Sequence, residues 1–310
     1  MAFDIPDGTT LETIGAELVA QRPALHRYAA RMVGSALDGE DVVQEAIARA
    51  VAAFDRTPPE GALAPWLFRI THNAAVDFLR GRKRHTAARD VADDDMVSGA
   101  EEAARRLAAR AALSVFMRLS PPQRGAVILK DVLGYSNEEV ADILGTTLAA
   151  AKAALHRGRA RLRLFVDEPA APYRAGADDL AQLQRYIDRF NARDFDAIRA
   201  MLADDVRFDL VARTQGGRPA FDIYFSRYTE MAAAWRLSLG WVDGRLAVVV
   251  TDSTQASAMP INVIDIAWMD GRITRLRDFF HARYVLDGAD IVLLGLSGAA
   301  ARAQRTTSRV

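Results

Sequence analysis

Charged side chains in this chain are gathered into short runs whose neighbours suit recognition of a nucleic acid. Arg80, Arg82, Lys83 and Arg84 form one basic cluster and Lys152, His156, Arg157, Arg159, Arg161 and Arg163 another, while acid collects at Asp90, Asp93, Asp94 and Asp95 and at Asp204 and Asp205. Forty basic and forty acidic residues give a formal net charge of +0, but a phosphate backbone docks on local patches and not on the net.

The richest local signal is SNEEVADILGTTLAAAKAAL at residues 136–155. Ser136 can cap a helix with Glu139 returning the bond three residues on. Val140, Ile143 and Leu144 then make a buried stripe, small Ala141 permits a close helix crossing, and Gly145 ends the helix. A second helix starts at Thr146 or Thr147 and is expected to bury Leu148, Ala151 and Leu155. Such a pair reads as a helix-turn-helix, whose second helix enters the major groove, or as an ordinary helical hairpin. The basic stripe running on from it favours the first reading, and a solvated basic face is the plain alternative for that stripe.

Two more stretches carry potential contacts. DGEDVVQEAIARAVAAFDR at 38–56 is expected to bury Val43, Ile47, Ala50, Val51 and Phe54 and to expose Asp41, Gln44 and Glu45, a face that suits a basic partner or is simply solvated. In PWLFRITHNAAVDFLRGRKR at 65–84, Trp66, Leu67, Ile70, Ala74 and Phe78 are expected inward and Arg69, His72, Asn73, Val76 and Arg80 outward. Aromatic and amide groups beside cations can capture an unstacked single strand, although most of these aromatics, Trp66 included, are expected in the core.

These side chains need rigid elements to hold them. Apolar residues recur at three and four up to about residue 165, which predicts an all-α unit at 15–86, an acidic linker at 87–104 and a second all-α unit at 105–166. A Pro- and Ala-rich connector follows at 167–178. Beyond it, 179–290 reads as an α+β unit with helices at 178–191 and 194–203, a strand at 206–211, and hairpins at 237–251 and 261–280. The hairpins turn on Asp243-Gly244 and Asp270-Gly271, pairs that tolerate positive φ. Residues 291–310 read as a C-terminal tail whose last dozen residues look frayed.

With 50% apolar and 26% charged residues among 310, the chain has the balance of a soluble globular protein of two or three units. No cysteine is present, which excludes disulfides and thiolate metal sites. The first residues carry no secretory signal, and the most apolar run, 291–296, is far short of the roughly 20 residues of a membrane-spanning helix. A cytoplasmic location is expected, with no membrane partner, cofactor, metal or catalytic residue.

In order and spacing, EDVVQEAIARA, PWLFRITHNAAVDFLRGRKR, and LSPPQRGAVILKDVLGYSNEEVADILG followed by KAALHRGRARLR resemble extracytoplasmic-function sigma factors of RNA polymerase over about residues 20–165. The resemblance implies core RNA polymerase and promoter DNA as partners. Asp41, Gln44 and Glu45 would face the β′ clamp helices, and the β flap is the other polymerase contact implied. Arg69, His72, Asn73, Asp77, Arg80, Arg82, Lys83 and Arg84 would lie near the melted minus-ten strand, and Thr147, Lys152, His156, Arg157 and Arg159 at the minus-thirty-five duplex. The acidic linker would thread toward the polymerase active-site channel. In one departure, Ala153 and Ala154 stand where family members commonly carry a polar and then a basic residue, so the upstream reading is expected to be weak or shape-based.

Residues 179–287 resemble the SnoaL-like cones fused to some of these sigma factors. That resemblance implies a regulatory α+β cone with a pocket for a small-molecule ligand, lined by Phe208, Trp235, Trp241, Trp268 and Phe280, with Asp209, Asp278 and His281 as its polar groups. The fold class expected is thus multidomain, two all-α helical units plus a C-terminal α+β cone. A ligand-responsive helix-turn-helix regulator that works without polymerase is one rival reading, and a fused cyclase or isomerase is another.

Overall fold

A computed structural model describes residues 11–54, 62–83, 101–165, 173–230, 235–252, 260–294 and 305–306. The chain divides into two units, 1–170 and 171–310.

The first unit is all helical. Helices α1 (Leu11–Val33), α2 (Ala36–Phe54) and α3 (Leu63–Lys83) are followed by α4 (Glu101–Arg110), α5 (Leu113–Phe116), α6 (Pro121–Val127), α7 (Asn137–Leu144) and α8 (Leu148–Phe165). Gly34, at φ 78°, permits the sharp turn from α1 into α2. Those two helices then cross so closely that a Cβ on Gly39 would lie 2.7 Å from the backbone of Ala30. Helix α2 buries Val42, Val43, Ala46, Ala50 and Phe54, whereas Val51, expected inward, is 37% exposed. In α3 the buried face is Leu67, Phe68, Thr71, Ala74, Ala75 and Leu79. Trp66 packs edge-on against Phe54 with ring centroids 6.4 Å apart, so it belongs to the core.

Helices α4 to α8 do not form a separate core. Phe116, Val127, Ile128, Leu129, Val140 and Leu155 join Tyr28, Met32, Val43 and Phe68 in one hydrophobic cluster. Helix α4 begins inside the stretch expected as a linker, of which 87–100 lies outside the described residues. A π-helical turn, Ile128–Val132, interrupts the path from α6 to α7. The turn between α7 and α8 follows the local chemistry: Ser136 Oγ accepts from Glu139 N at 3.1 Å, Glu139 accepts from Ser136 N at 2.7 Å, and Gly145 takes φ 63°.

The second unit packs α9 (Ala177–Asn191), α10 (Phe195–Ala200) and α11 (Arg218–Glu230) with strands β1 (Leu202–Leu210), β2 (Thr214–Gly216), β3 (Trp235–Val242), β4 (Arg245–Asp252), β5 (Pro260–Met269), β6 (Arg272–Asp278), β7 (Ile291–Leu293) and β8 (Arg305–Thr306). The sheet order is β2-β1-β6-β5-β4-β3-β7-β8, antiparallel except for the parallel pair β1 and β6. Both Asp-Gly turns adopt positive φ at each residue, as tight hairpins require. Helix α11 was not expected, and the first residues of the expected C-terminal tail form β7 against β3. Helices and sheet enclose Tyr186, Phe190, Phe208, Phe221, Phe225, Leu237, Val248 and Ile264. Among the described residues no helix is long and apolar enough to cross a membrane.

Overpacking at the closest helix crossing gives a direct test. Gly39→Ala should cost about 1–3 kcal/mol in urea unfolding of the full chain, whereas Gly15→Ala, with open space around its Cα, should be neutral or slightly stabilising.

Candidate nucleic-acid interface and cone interior

The acidic face of α2 and the outer face of α3 are joined by an exposed ion chain. Glu45 bonds Arg49 at 2.8 Å, Arg49 bonds Asp77 at 2.9 Å, and Asp77 lies 3.7 Å from Arg80. Hydrogen bonds that Arg49 donates to Asp77 and then Glu45 push its guanidinium further toward the charged form. Being exposed, these pairs add little stability. Arg82 bonds buried Asp38 at 3.0 Å, and Asn73 is exposed. The side chain of Lys83, and Arg84, lie outside the described residues.

Two of the expected strand contacts are turned to another use. His72, expected outward, is half-buried with Nδ1 2.7 Å from the Tyr28 hydroxyl, and burial lowers its pKa to about 4. Arg69 is exposed but donates to the Asp142 carbonyl of α7 at 2.7 Å. Phe68 meets Tyr135 edge-on at 5.3 Å. A Cβ on Gly125 of α6 would stand 2.9 Å from Leu144 Cδ2 and 3.2 Å from the Tyr28 hydroxyl, so glycine eases that approach, with the His72 ring at an ordinary contact distance of 3.6 Å. Arg124 beside it is buried and donates to the carbonyls of Phe116 at 2.8 Å, Leu119 at 2.9 Å and Met32 of α1.

On the helix-turn-helix, Thr147 Oγ1 accepts from Ala150 N at 3.2 Å and caps α8. Lys152, His156 and Arg157 are exposed there. Arg159 departs from its expected place at the duplex: it makes a two-point bond to buried Asp131, at 2.9 and 2.6 Å, and so pins α8 to the π-helical turn. Leu148, expected in the core, is 36% exposed at the entrance of α8.

In the second unit the interior polar group is Asp278, fully buried at the end of β6. Its Oδ2 accepts from Tyr224 at 2.6 Å and Tyr228 at 3.2 Å, and its Oδ1 from Asn262 at 2.5 Å and Phe280 N at 2.9 Å. Burial raises its pKa against the opposing pull of these four bonds. Tyr186 is fully buried with no hydrogen-bond partner for its hydroxyl among the described residues, and Asn262 Oδ1 and Trp235 Nε1 are likewise unmatched. Phe208 packs on Tyr224 and Trp235 on Tyr228, so both line this cluster. Three other expected lining residues do not join it. Asp209 lies beside Arg277 at 3.5 Å, and the Trp241 ring lies tilted against Tyr173 with centroids 5.5 Å apart. Exposed His281 contacts Arg213, whereas Trp268 and Phe280 pack against the cone core with Trp235. Tyr224 and Tyr228 were missed although Phe221, Tyr224, Phe225 and Tyr228 carry a legible helical spacing in the sequence.

Comparison with known proteins matches three family models: Sigma-70 region 2 over residues 18–85, Sigma-70 region 4 over 109–162 and a SnoaL-like domain over 183–276. The chain is similar to the ECF RNA polymerase sigma factor SigG of Mycobacterium tuberculosis, 33% identical over 279 residues, which cover 79% of this chain and 72% of SigG. It is also similar to the RNA polymerase sigma factor CarQ of Myxococcus xanthus, 32% identical over 47% of this chain and 84% of CarQ. Among solved structures, the extracytoplasmic-function sigma factor SigJ of Mycobacterium tuberculosis aligns at 26% identity and TM-score 0.33, covering 85% of this chain and 95% of SigJ.

Buried neutral His72 makes the first unit acid-sensitive. Its folded pKa lies below the usual 6.5, so its contribution is complete above pH 6.5 and is lost as pH falls toward about 4. Urea unfolding should show a loss of about 3 kcal/mol across that window, and His72→Gln should flatten it. In the second unit, Asp278→Ala leaves several donors unpaired and should cost at least about 3 kcal/mol, well beyond Tyr228→Phe, as read from thermal unfolding.

Proposed function

The chain belongs to the extracytoplasmic-function RNA polymerase sigma factors and carries a SnoaL-like C-terminal domain, and from that premise we propose how its parts divide the work. As a sigma factor it joins core RNA polymerase at promoter DNA to start transcription, and it makes or breaks no bond itself. Asp41, Gln44 and Glu45 on α2 dock on the β′ clamp helices, and α4 to α8 meet the β flap. Asn73, Arg80, Arg82, Lys83 and Arg84, joined by Arg69, His72 and Asp77, hold the melted minus-ten strand, and Thr147, Lys152, His156 and Arg157 contact the minus-thirty-five duplex.

One observation carries the mechanism: Arg69 is bonded to the Asp142 carbonyl, and Gly125 of α6 lies against His72. Strand capture on α3 therefore requires α6 and α7 to leave that face, which makes the closed helical unit a resting state and the open one the working state. The cone biases the balance between the two. Its interior binds an uncharged small molecule through the unmatched groups of Tyr186, Trp235 and Asn262 around Asp278, a reading supported by the cost of leaving such groups unpaired.

Promoter-dependent transcription with core polymerase tests this division. The full chain should direct it, and Glu45→Lys should weaken polymerase binding about tenfold while adding to the local repulsion with Arg49. A chain stopped after residue 170 should change activity at least about fivefold, the scale of an ordinary allosteric coupling. Unchanged activity and polymerase affinity after that truncation would end the regulatory assignment.

A further inference from the structure

The leading turns of α8 present little that can hydrogen-bond a base. The buried stripe of this helix is Ala151, Ala154, Leu155, Gly158 and Leu162, which leaves Ala149 and Ala153 one turn apart on the opposite face. Ala149 and Ala150 are exposed, Ala153 is half-exposed, and Leu148 shows 36% of its surface beside them. The Thr147 side-chain oxygen is taken by the Ala150 N–H, so that residue closes the helix end. Packing fixes how this face is aimed: a Cβ on Gly158 would meet Val127 Cγ2 at 2.6 Å and the Gln123 carbonyl at 2.9 Å, and Arg159 is locked to Asp131. Exposed Lys152, His156 and Arg157 flank the apolar face with positive charge, the complement of duplex phosphates. In the major groove the base feature that an apolar side chain can recognise is the C5-methyl group of thymine.

Resting on the reading of this chain as a sigma factor, we infer that α8 selects its upstream promoter element through thymine methyl groups packed against Ala149, Ala153 and Leu148, with Lys152 the polar base contact beside them. Preference at those positions is then for A·T pairs with the methyl on the strand that α8 faces. It depends on one carbon atom and not on the hydrogen-bonding edge of the pair.

The test uses the full chain with core RNA polymerase and two pools of duplex templates randomised across the promoter. The pools are identical except that the upstream segment carries thymine in one and uracil in the other, so only the methyl differs. Templates held in heparin-resistant complexes are sequenced. At two or more upstream positions, A·T pairs should be enriched roughly threefold to fourfold more in the thymine pool, the scale set by burying one methyl group. An Ala149→Gln variant, whose amide reads hydrogen-bonding edges, should still form complexes and lose part of that difference. Equal enrichment in the two pools, or upstream enrichment in neither, overturns the inference. Failure to form complexes on any template would instead remove the sigma-factor reading beneath it.

Discussion

A guanidinium buried without a carboxylate must have its N–H groups met by carbonyl oxygens, and in this chain that demand ties two sigma regions together. Arg124 supplies the cation. It bonds Phe116 and Leu119 at the start of its own segment and Met32 in the last turn of α1, where helix carbonyls lack intrahelical partners and a positive charge is favoured. Burial lowers its pKa to about 10, which still leaves it charged at neutral pH. Around this group, the shared hydrophobic cluster, the glycine beside it, the Tyr28 and His72 pair near that glycine, and the Arg69 bond to α7 bring α6 and α7 onto α1 and α3.

The same packing sets up a competition. Arg69 and His72, two of the residues proposed to capture an unstacked strand, are also where α6 and α7 meet α3, so the proposed strand binding and this closure share part of one surface. A buried cation matched by carbonyls suits a reversible joint, because those carbonyls and the guanidinium can both be met by water once separated. The SnoaL-like unit organises its interior on a related principle, with one buried carboxyl gathering four donors from α11, β5 and the chain after β6.

Much of this was legible where the physics is local. The Ser136 and Glu139 box, the Gly145 helix end and both Asp-Gly turns depend on residues a few positions apart, and the structure has them as read. What escaped depends on partners distant in sequence. His72 and Arg159 look like outward basic residues until Tyr28 and Asp131 are brought beside them from 44 and 28 residues away. Leu148 has the period of a core residue, but α8 starts there and its first turn has nothing above it to bury against. Helix α11 is a different kind of omission, since its apolar spacing was present in the sequence and its two tyrosines define the cone interior.

One core unites the two sigma regions in this structure, and the proposed opening on polymerase is directly measurable. Because the chain has no cysteine, single cysteines placed at exposed Ala20 of α1 and Glu138 of α7 would take a donor and an acceptor dye cleanly. Energy transfer between them should be high in the free protein and should fall when core polymerase is added. Transfer that stays unchanged while the labelled chain is bound to polymerase would contradict the account.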